Sequence, residues 1–255
     1  MIDVRFDITG KVVLITGSSR GIGYTLARGL GHAGARIVLN GRKPSRLQKA
    51  VDALRKEHIE ILGAAFDVRD GKGIRKQVKS VEKVFGPIDV LVNNAGIQIR
   101  APLETFQEEQ WRHILDVNLT GAFLTSREVA VGMIRRKAGK IINICSIQSE
   151  WARPTIAPYT ASKGGLKMLT KGMATDWGKY NIQVNGLAPG YIRTEMTKPL
   201  YEDKQFDAWL RARTPSNRWG ESEELIGAAI FLASKASDYV NGQILNVDGG
   251  LSACV

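Results

Sequence analysis

The 255-residue chain holds only two cysteines, Cys145 and Cys254, and three histidines, His32, His58 and His113, each isolated from the others. Two such cysteines make no disulfide framework, and no His, Cys, Asp and Glu cluster has metal-ligand spacing, so metal-free chemistry is expected. No apolar run approaches the roughly 18 residues of a membrane span. The first ten residues carry Asp3 and Asp7 and no apolar core, unlike a secretory signal. A reducing cytoplasm, with no membrane partner, is the expected setting. Missing as well are any Pro/Gly/Ser-rich linker, low-complexity tract or solenoid repeat, which leaves one domain over 1–255.

Charge of one sign is in excess: 36 Lys and Arg against 25 Asp and Glu, a formal net charge of +11. Such an excess draws polyanions when it is clustered. Here it is scattered, and the densest run, Arg135-Arg136-Lys137, fits a solvated helix end complementing the helix dipole. No nucleic-acid partner is expected.

Short, mostly apolar runs at 12–16, 36–40, 61–66, 88–92, 140–145, 182–187 and 243–247 are candidate strands. Several lack the polar alternation of a half-exposed strand, as expected for strands covered by helices on both faces. Helical patterns lie between them, at 22–33, 45–56, 73–85, 107–136, 157–179 and 221–233. The alternation implies an α/β class: a single-domain, doubly wound parallel sheet of about seven strands flanked by helices, the Rossmann fold. Ligands of such sheets sit beyond the carboxyl ends of the strands, where strand order reverses. The stretch 190–212 is longer and less regular than the other connections and contains Tyr191, Met196, Tyr201, Phe206 and Trp209. It is a substrate lid or a packed surface arm.

Directly after the first candidate strand stands Thr16-Gly17-Ser18-Ser19-Arg20-Gly21-Ile22-Gly23, opening a helix. Gly17, Gly21 and Gly23 permit a sharp turn and close approach of backbone to a pyrophosphate. Ser19, Arg20 and Ile22 lie on the same loop, and the helix amino terminus offers free N–H groups. A dinucleotide is the natural ligand. The end of the second strand is where an acid would bind the adenosine ribose of NAD, but the sequence there is Asn40-Gly41-Arg42. Arg42 with Arg20 suits a ribose 2′-phosphate, so NADP is expected, with NAD a weaker substitute.

Tyr159 and Lys163 are four residues apart in a helical stretch and share one face. An ammonium near a phenol lowers its pKa from the ordinary value near 10 and makes it a usable acid or base. Ser146 follows the candidate strand 140–145, where its hydroxyl can hold a carbonyl oxygen. Asn118 interrupts an apolar stripe, as a site group or as a satisfied core amide. Asn94, Ala95 and Gly96 follow the fourth strand; turn chemistry explains them, and so does a passing cofactor ribose.

In order and spacing these motifs resemble the short-chain dehydrogenases/reductases over essentially the whole chain. That resemblance implies a catalytic tetrad of Asn118, Ser146, Tyr159 and Lys163. It also implies Asp67 and Val68 near the adenine, and Pro189, Gly190, Ile192 and Thr194 near the nicotinamide. The stretches 86–98, 143–150 and 185–191, with Arg213-Thr214-Pro215 and Arg218-Trp219-Gly220, are similar to the gluconate 5-dehydrogenase subgroup. Ile99 and Trp151 depart from that subgroup's usual residues. The subgroup implies a small sugar acid as partner, 5-keto-D-gluconate and D-gluconate, and a homotetramer. A carboxylate needs a cation: Arg100, with Gln98 beside it, is the first candidate and Arg153 the second. Gln148 and Glu150 either bind sugar hydroxyls or face water. The alternatives are a related reductase for a deoxy-ketogluconate or a 3-oxoacyl thioester, and a non-catalytic NADP-binding regulator.

Overall fold

A computed structural model describes residues 4–254, so the outermost positions of the domain reading, residues 1–3 and 255, lie outside the described residues. Seven strands form one sheet: β1 (Val12–Ile15), β2 (Arg36–Gly41), β3 (Ile61–Ala65), β4 (Val90–Asn93), β5 (Gly139–Ile144), β6 (Ile182–Pro189) and β7 (Ile244–Val247). Their order is β3-β2-β1-β4-β5-β6-β7, and every pairing is parallel. The chain runs outward from β1 to β3 and then returns to start again at β4. The crevice between β1 and β4 is therefore the switch point where an open α/β sheet takes its ligand.

The helices are α1 (Gly21–His32), α2 (Pro44–Arg55), α3 (Gly71–Phe85), α4 (Glu108–Leu115), α5 (Gly121–Arg136), α6 (Ala157–Trp177), α7 (Lys198–Tyr201), α8 (Lys204–Arg213) and α9 (Ile226–Ala233). Strand residues alternate between two cores. Val13, Ile15, Ile37, Leu39, Val90 and Val92 pack with Leu26 and Leu30 of α1 and Leu232 of α9. Val12, Leu14, Val38 and Leu91 pack with Ile74 and Val78 of α3 and Val129 of α5. Both faces are covered, which is why β1 and β4 contain no polar alternation.

Two helical readings are corrected. The pattern over 107–136 is two α-helices joined by a π-turn at Asp116–Thr120, which carries Asn118. A helical hydrophobic stripe continues through one extra residue, so periodicity alone did not reveal the wider turn. The pattern over 221–233 begins as a 3-10 turn, Ser222–Leu225, before α9. The stretch 190–212 contains α7 and nearly all of α8; Asp203 caps α8 by accepting from the Gln205 and Phe206 N–H groups at 2.9 and 3.2 Å. No helix among the described residues is long and apolar enough to cross a membrane.

Candidate active site

The glycine loop is held from two sides, by Asn40 at the end of β2 and by Asn94-Ala95 after β4. Gly17 N–H donates to Asn40 Oδ1 at 3.0 Å, and Asn40 Nδ2 donates to the Ala64 and Phe66 carbonyls at 3.1 and 3.0 Å. Asn94 Nδ2 donates to the Thr16 and Gly17 carbonyls, while Thr16 Oγ1 accepts the Asn94 and Ala95 N–H groups. The Asn40 side chain is thus buried and committed to backbone, and it shapes the cradle from beneath. Gly17 has φ +62°, and a Cβ there would stand 2.8 Å from Ala95 Cα; Gly21 has φ +57° and open space where its Cβ would project. That open cradle at the amino terminus of α1, whose first turn carries no acid, fits a pyrophosphate.

At the adenosine end, no acid follows β2. Asp67 is bound by Arg69, with Nη2 to Oδ2 at 2.7 Å, which holds its carboxyl down at about 2. Arg42 stands 3.7 Å from the same oxygen and is half exposed, free to meet a phosphate. Arg20 pairs with Glu195 at 2.6 Å. Val68 is buried against α5, where a Cβ on Gly121 would meet it at 2.8 Å. These groups fit the adenosine of a 2′-phosphorylated dinucleotide by charge and position.

Ser146 caps the turn after β5: its Oγ accepts the Gln148 N–H at 3.1 Å and is hydrogen-bonded to the Tyr159 phenol. Lys163, one helical turn on along α6, is buried, and its ammonium donates to the Ile144 carbonyl at 2.5 Å. It lies over Gly96, where a Cβ would be 3.9 Å from Nζ and 3.6 Å from Asn118 Oδ1. Asn118 is fully engaged: Oδ1 accepts the Ile97 N–H at 2.8 Å, and Nδ2 donates to the Ile97 carbonyl and to Ser162 Oγ, both at 3.0 Å. Ser162 in turn donates to the Tyr159 carbonyl. The π-turn, the Gly96 turn and α6 are locked together through one amide.

The expected electrostatics are corrected here. Lys163 stands 5.8 Å from the Tyr159 ring centre, and burial rather than the ammonium dominates both groups. Burial pushes the phenol up to about 12 against the pull of the Ser146 hydrogen bond, and pushes Lys163 down to about 8. In this packing Tyr159 is a firmly protonated acid at neutral pH.

Beyond Ser146 the loops carrying Arg100 and Arg153 run side by side, joined by Ala101 N–H to the Thr155 carbonyl at 3.1 Å. Arg100 Nη2 donates to Gln98 Oε1 at 3.2 Å, and its Nε is buried without a partner, as is Gln148 Oε1. Burial first, then the like charge of Arg153, lowers the Arg100 pKa. Tyr191 lies within the electrostatic reach of Tyr159 and both arginines. Arg100 thus keeps one buried donor unmet, and Arg153 brings a second positive charge to the same pair of loops, an arrangement that suits an anion. Glu150 is not part of it: the side chain is exposed and paired with Lys167 at 2.9 Å, on the outer side of α6. Tyr191, which directly follows Pro189-Gly190, is read from the sequence only as part of the 190–212 stretch and not as a site residue. Ser162, one residue before Lys163, is not assigned from the sequence. Ile192 and Thr194 lie where β6 leaves the sheet, with Ile192 bridged to Gly220 and Thr194 Oγ1 3.1 Å from Thr197 Oγ1. Gly190 N–H donates to the Val247 carbonyl at 3.0 Å, and a Cβ there would meet Asp248 Cα at 2.7 Å.

Comparison with known proteins agrees with this geometry. The short chain dehydrogenase family profile matches residues 11–205. The 5-keto-D-gluconate 5-reductase of Escherichia coli is 55% identical over 250 residues, 98% of each chain. The gluconate 5-dehydrogenase of Gluconobacter oxydans is 53% identical over 247 residues, 97% of this chain and 96% of its own. A crystal structure of a gluconate 5-dehydrogenase from Burkholderia cenocepacia, in complex with NADP and tartrate, has a TM-score of 0.97 at 54% identity and covers 99% of both chains. With its all-parallel sheet and glycine cradle, this chain belongs to the short-chain dehydrogenase/reductase family.

Proposed function

We propose that this chain is an NADP-dependent oxidoreductase interconverting 5-keto-D-gluconate and D-gluconate. The observation that carries the substrate reading is the neighbouring Arg100 and Arg153 guanidiniums, with the buried Arg100 Nε unmet and Tyr191 within reach of both arginines and of Tyr159. The names of two similar relatives support the same choice.

Gly17, Ser19, Arg20, Gly21, Ile22 and Gly23 cradle the pyrophosphate, Arg42 and Arg20 take the 2′-phosphate, and the 94–96 and 189–194 segments line the nicotinamide half. NADPH, when bound, supplies the hydride for the ketone carbon. The Ser146 and Tyr159 hydroxyls hold the ketone oxygen and orient the carbonyl. Tyr159, protonated with a pKa of about 12, gives its proton to that oxygen. An ammonium with a pKa of about 8 is the stronger acid of the pair, so restoring the phenol's proton from Lys163 is downhill. Asn118 keeps the Gly96 turn and α6 in register for that exchange. Arg100 and Arg153 bind the sugar-acid carboxylate, Gln98 and Gln148 its hydroxyls, and the 190–212 segment covers it.

The enzyme works in the cytoplasm as a homotetramer; exposed Phe123 and Val131 of α5, Met168 of α6 and Leu245 of β7 are apolar surface suited to partner subunits. The deciding experiment is steady-state reduction of 5-keto-D-gluconate by NADPH in the parent and in Tyr159→Phe. Turnover in the parent that falls by at least 1000-fold in the variant, with NADPH affinity kept, supports the reading. Near-normal activity of the variant rejects it.

A further inference from the structure

Arg153 is near enough for its charge to act on Arg100 and Tyr191, and no acidic side chain among the described residues pairs with it. Its contact is instead the ring of Phe206, 5.5 Å from the guanidinium carbon. Phe206 belongs to α8, within the 190–212 segment, and its backbone N–H is fixed by the Asp203 cap at 3.2 Å. The same ring leans on Tyr191, Trp209 and Trp219, with centroids at 5.5, 5.2 and 6.3 Å. Beneath it Leu210 and Trp219 are buried with Ile147, which immediately follows Ser146.

We infer that Phe206 is a positioning residue for substrate binding: its ring, packed against the Arg153 guanidinium, steadies that cation without consuming its N–H donors, leaving them for the substrate carboxylate. The physical reason is directional. Arginine binds a carboxylate through two coplanar N–H donors, while an aromatic ring occupies only the face perpendicular to them. A carboxylate side chain in place of Phe206 would neutralise Arg153, whereas an aromatic one orders the cation and keeps its charge available. Unsupported, Arg153 would scatter among rotamers and lose affinity on being ordered by substrate. This inference rests on the proposed carboxylate role of Arg153.

The test compares Phe206→Leu and Phe206→Tyr, each with Arg153 intact and with Arg153→Ala. Steady-state kinetics use 5-keto-D-gluconate and NADPH; NADPH binding is measured by fluorescence, and tartrate binding by calorimetry. Phe206→Leu is expected to raise KM about five- to tenfold, with kcat and NADPH Kd within twofold of the parent. Phe206→Tyr, which keeps the ring, restores the parental KM, and in the Arg153→Ala background Phe206→Leu changes KM no further. An equal loss in both backgrounds, or a loss confined to kcat or NADPH affinity, overturns the inference. A parent that does not reduce 5-keto-D-gluconate rejects the proposed function instead, and tartrate then decides the inference. Weakening of tartrate by Phe206→Leu only when Arg153 is present sustains it, and any other pattern overturns it.

Discussion

The Lys163 ammonium donates to the Ile144 carbonyl at 2.5 Å and stands 5.8 Å from the centre of the Tyr159 ring, buried and without a counter-ion among the described residues. A cation in such a place carries a stability cost as well as the catalytic use proposed for it. Its folded pKa of about 8 lies below the ordinary 10.5, so the cost is fully present below pH 8 and fades as pH rises toward 10.5. The shift corresponds to about 3 kcal/mol as an order of magnitude. Lys163→Met is therefore expected to abolish turnover yet raise the melting temperature at pH 7 by several degrees. Thermal unfolding of both proteins at pH 7 and pH 9.5 checks it, since the gain should shrink at the higher pH.

The same two groups set the pH profile of ketone reduction. Tyr159 remains protonated up to about 12 and does not limit the rate at ordinary pH. Lys163 loses its proton near 8, so kcat for reduction should be flat at pH 6–7 and fall as pH rises through about 8. A kcat that rises with pH across that window would contradict the proton order assigned to the pair.

Cofactor preference is expected to rest on Arg42. It has only a loose contact with Asp67, at 3.7 Å, and is half exposed. A charge-assisted bond to phosphate is worth about 1.5–3 kcal/mol, so Arg42→Ala should lower kcat/KM for NADPH by about 10- to 100-fold and leave NADH nearly unchanged. A parallel loss with both cofactors would place the residue's effect elsewhere in the loop.

Two glycines of the loop should respond differently to alanine. At Gly17 the new Cβ meets Ala95 backbone at 2.8 Å as well as a positive φ, so Gly17→Ala should unfold at clearly lower temperature. At Gly21 the Cβ meets nothing, and only the backbone strain of about 1–2 kcal/mol remains. Gly21→Ala should keep most of the stability while weakening NADPH binding, because the methyl enters the cradle. Melting curves with and without NADPH separate the two.

The proposed anion receptor makes a paired prediction. Arg100→Ala should raise KM for 5-keto-D-gluconate by at least tenfold, because its buried Nε and Gln148 Oε1 have no other partners. Glu150→Gln should leave KM alone, since that carboxylate faces Lys167. An unchanged KM in Arg100→Ala would move the carboxylate site away from this arginine.

Much of the molecule was legible in the chain itself. The doubly covered strands, the glycine loop after β1, the missing acid after β2 and the Tyr159–Lys163 spacing are local signals. Apolar runs, special backbone angles and one-turn helical spacing follow from the residues in a short window. The boundaries of β1, β2 and β5 accordingly fall within a residue or two of expectation.

What only the tertiary structure decided are quantities made by residues distant in sequence. Burial by β5, the turn after it and α6 sets the pKa order of Tyr159 and Lys163, and no spacing rule contains that desolvation. The Glu150 carboxylate is paired with Lys167, the Asn40 amide is committed to backbone, and the Asn118 amide is shared between the Ile97 backbone and Ser162 Oγ. The meeting of Arg100, Arg153, Tyr191 and Phe206 joins three loops and a helix. Charge, hydrogen-bond capacity and aromatic faces are written residue by residue, but which of them remain unsatisfied is determined only when the chain closes around them.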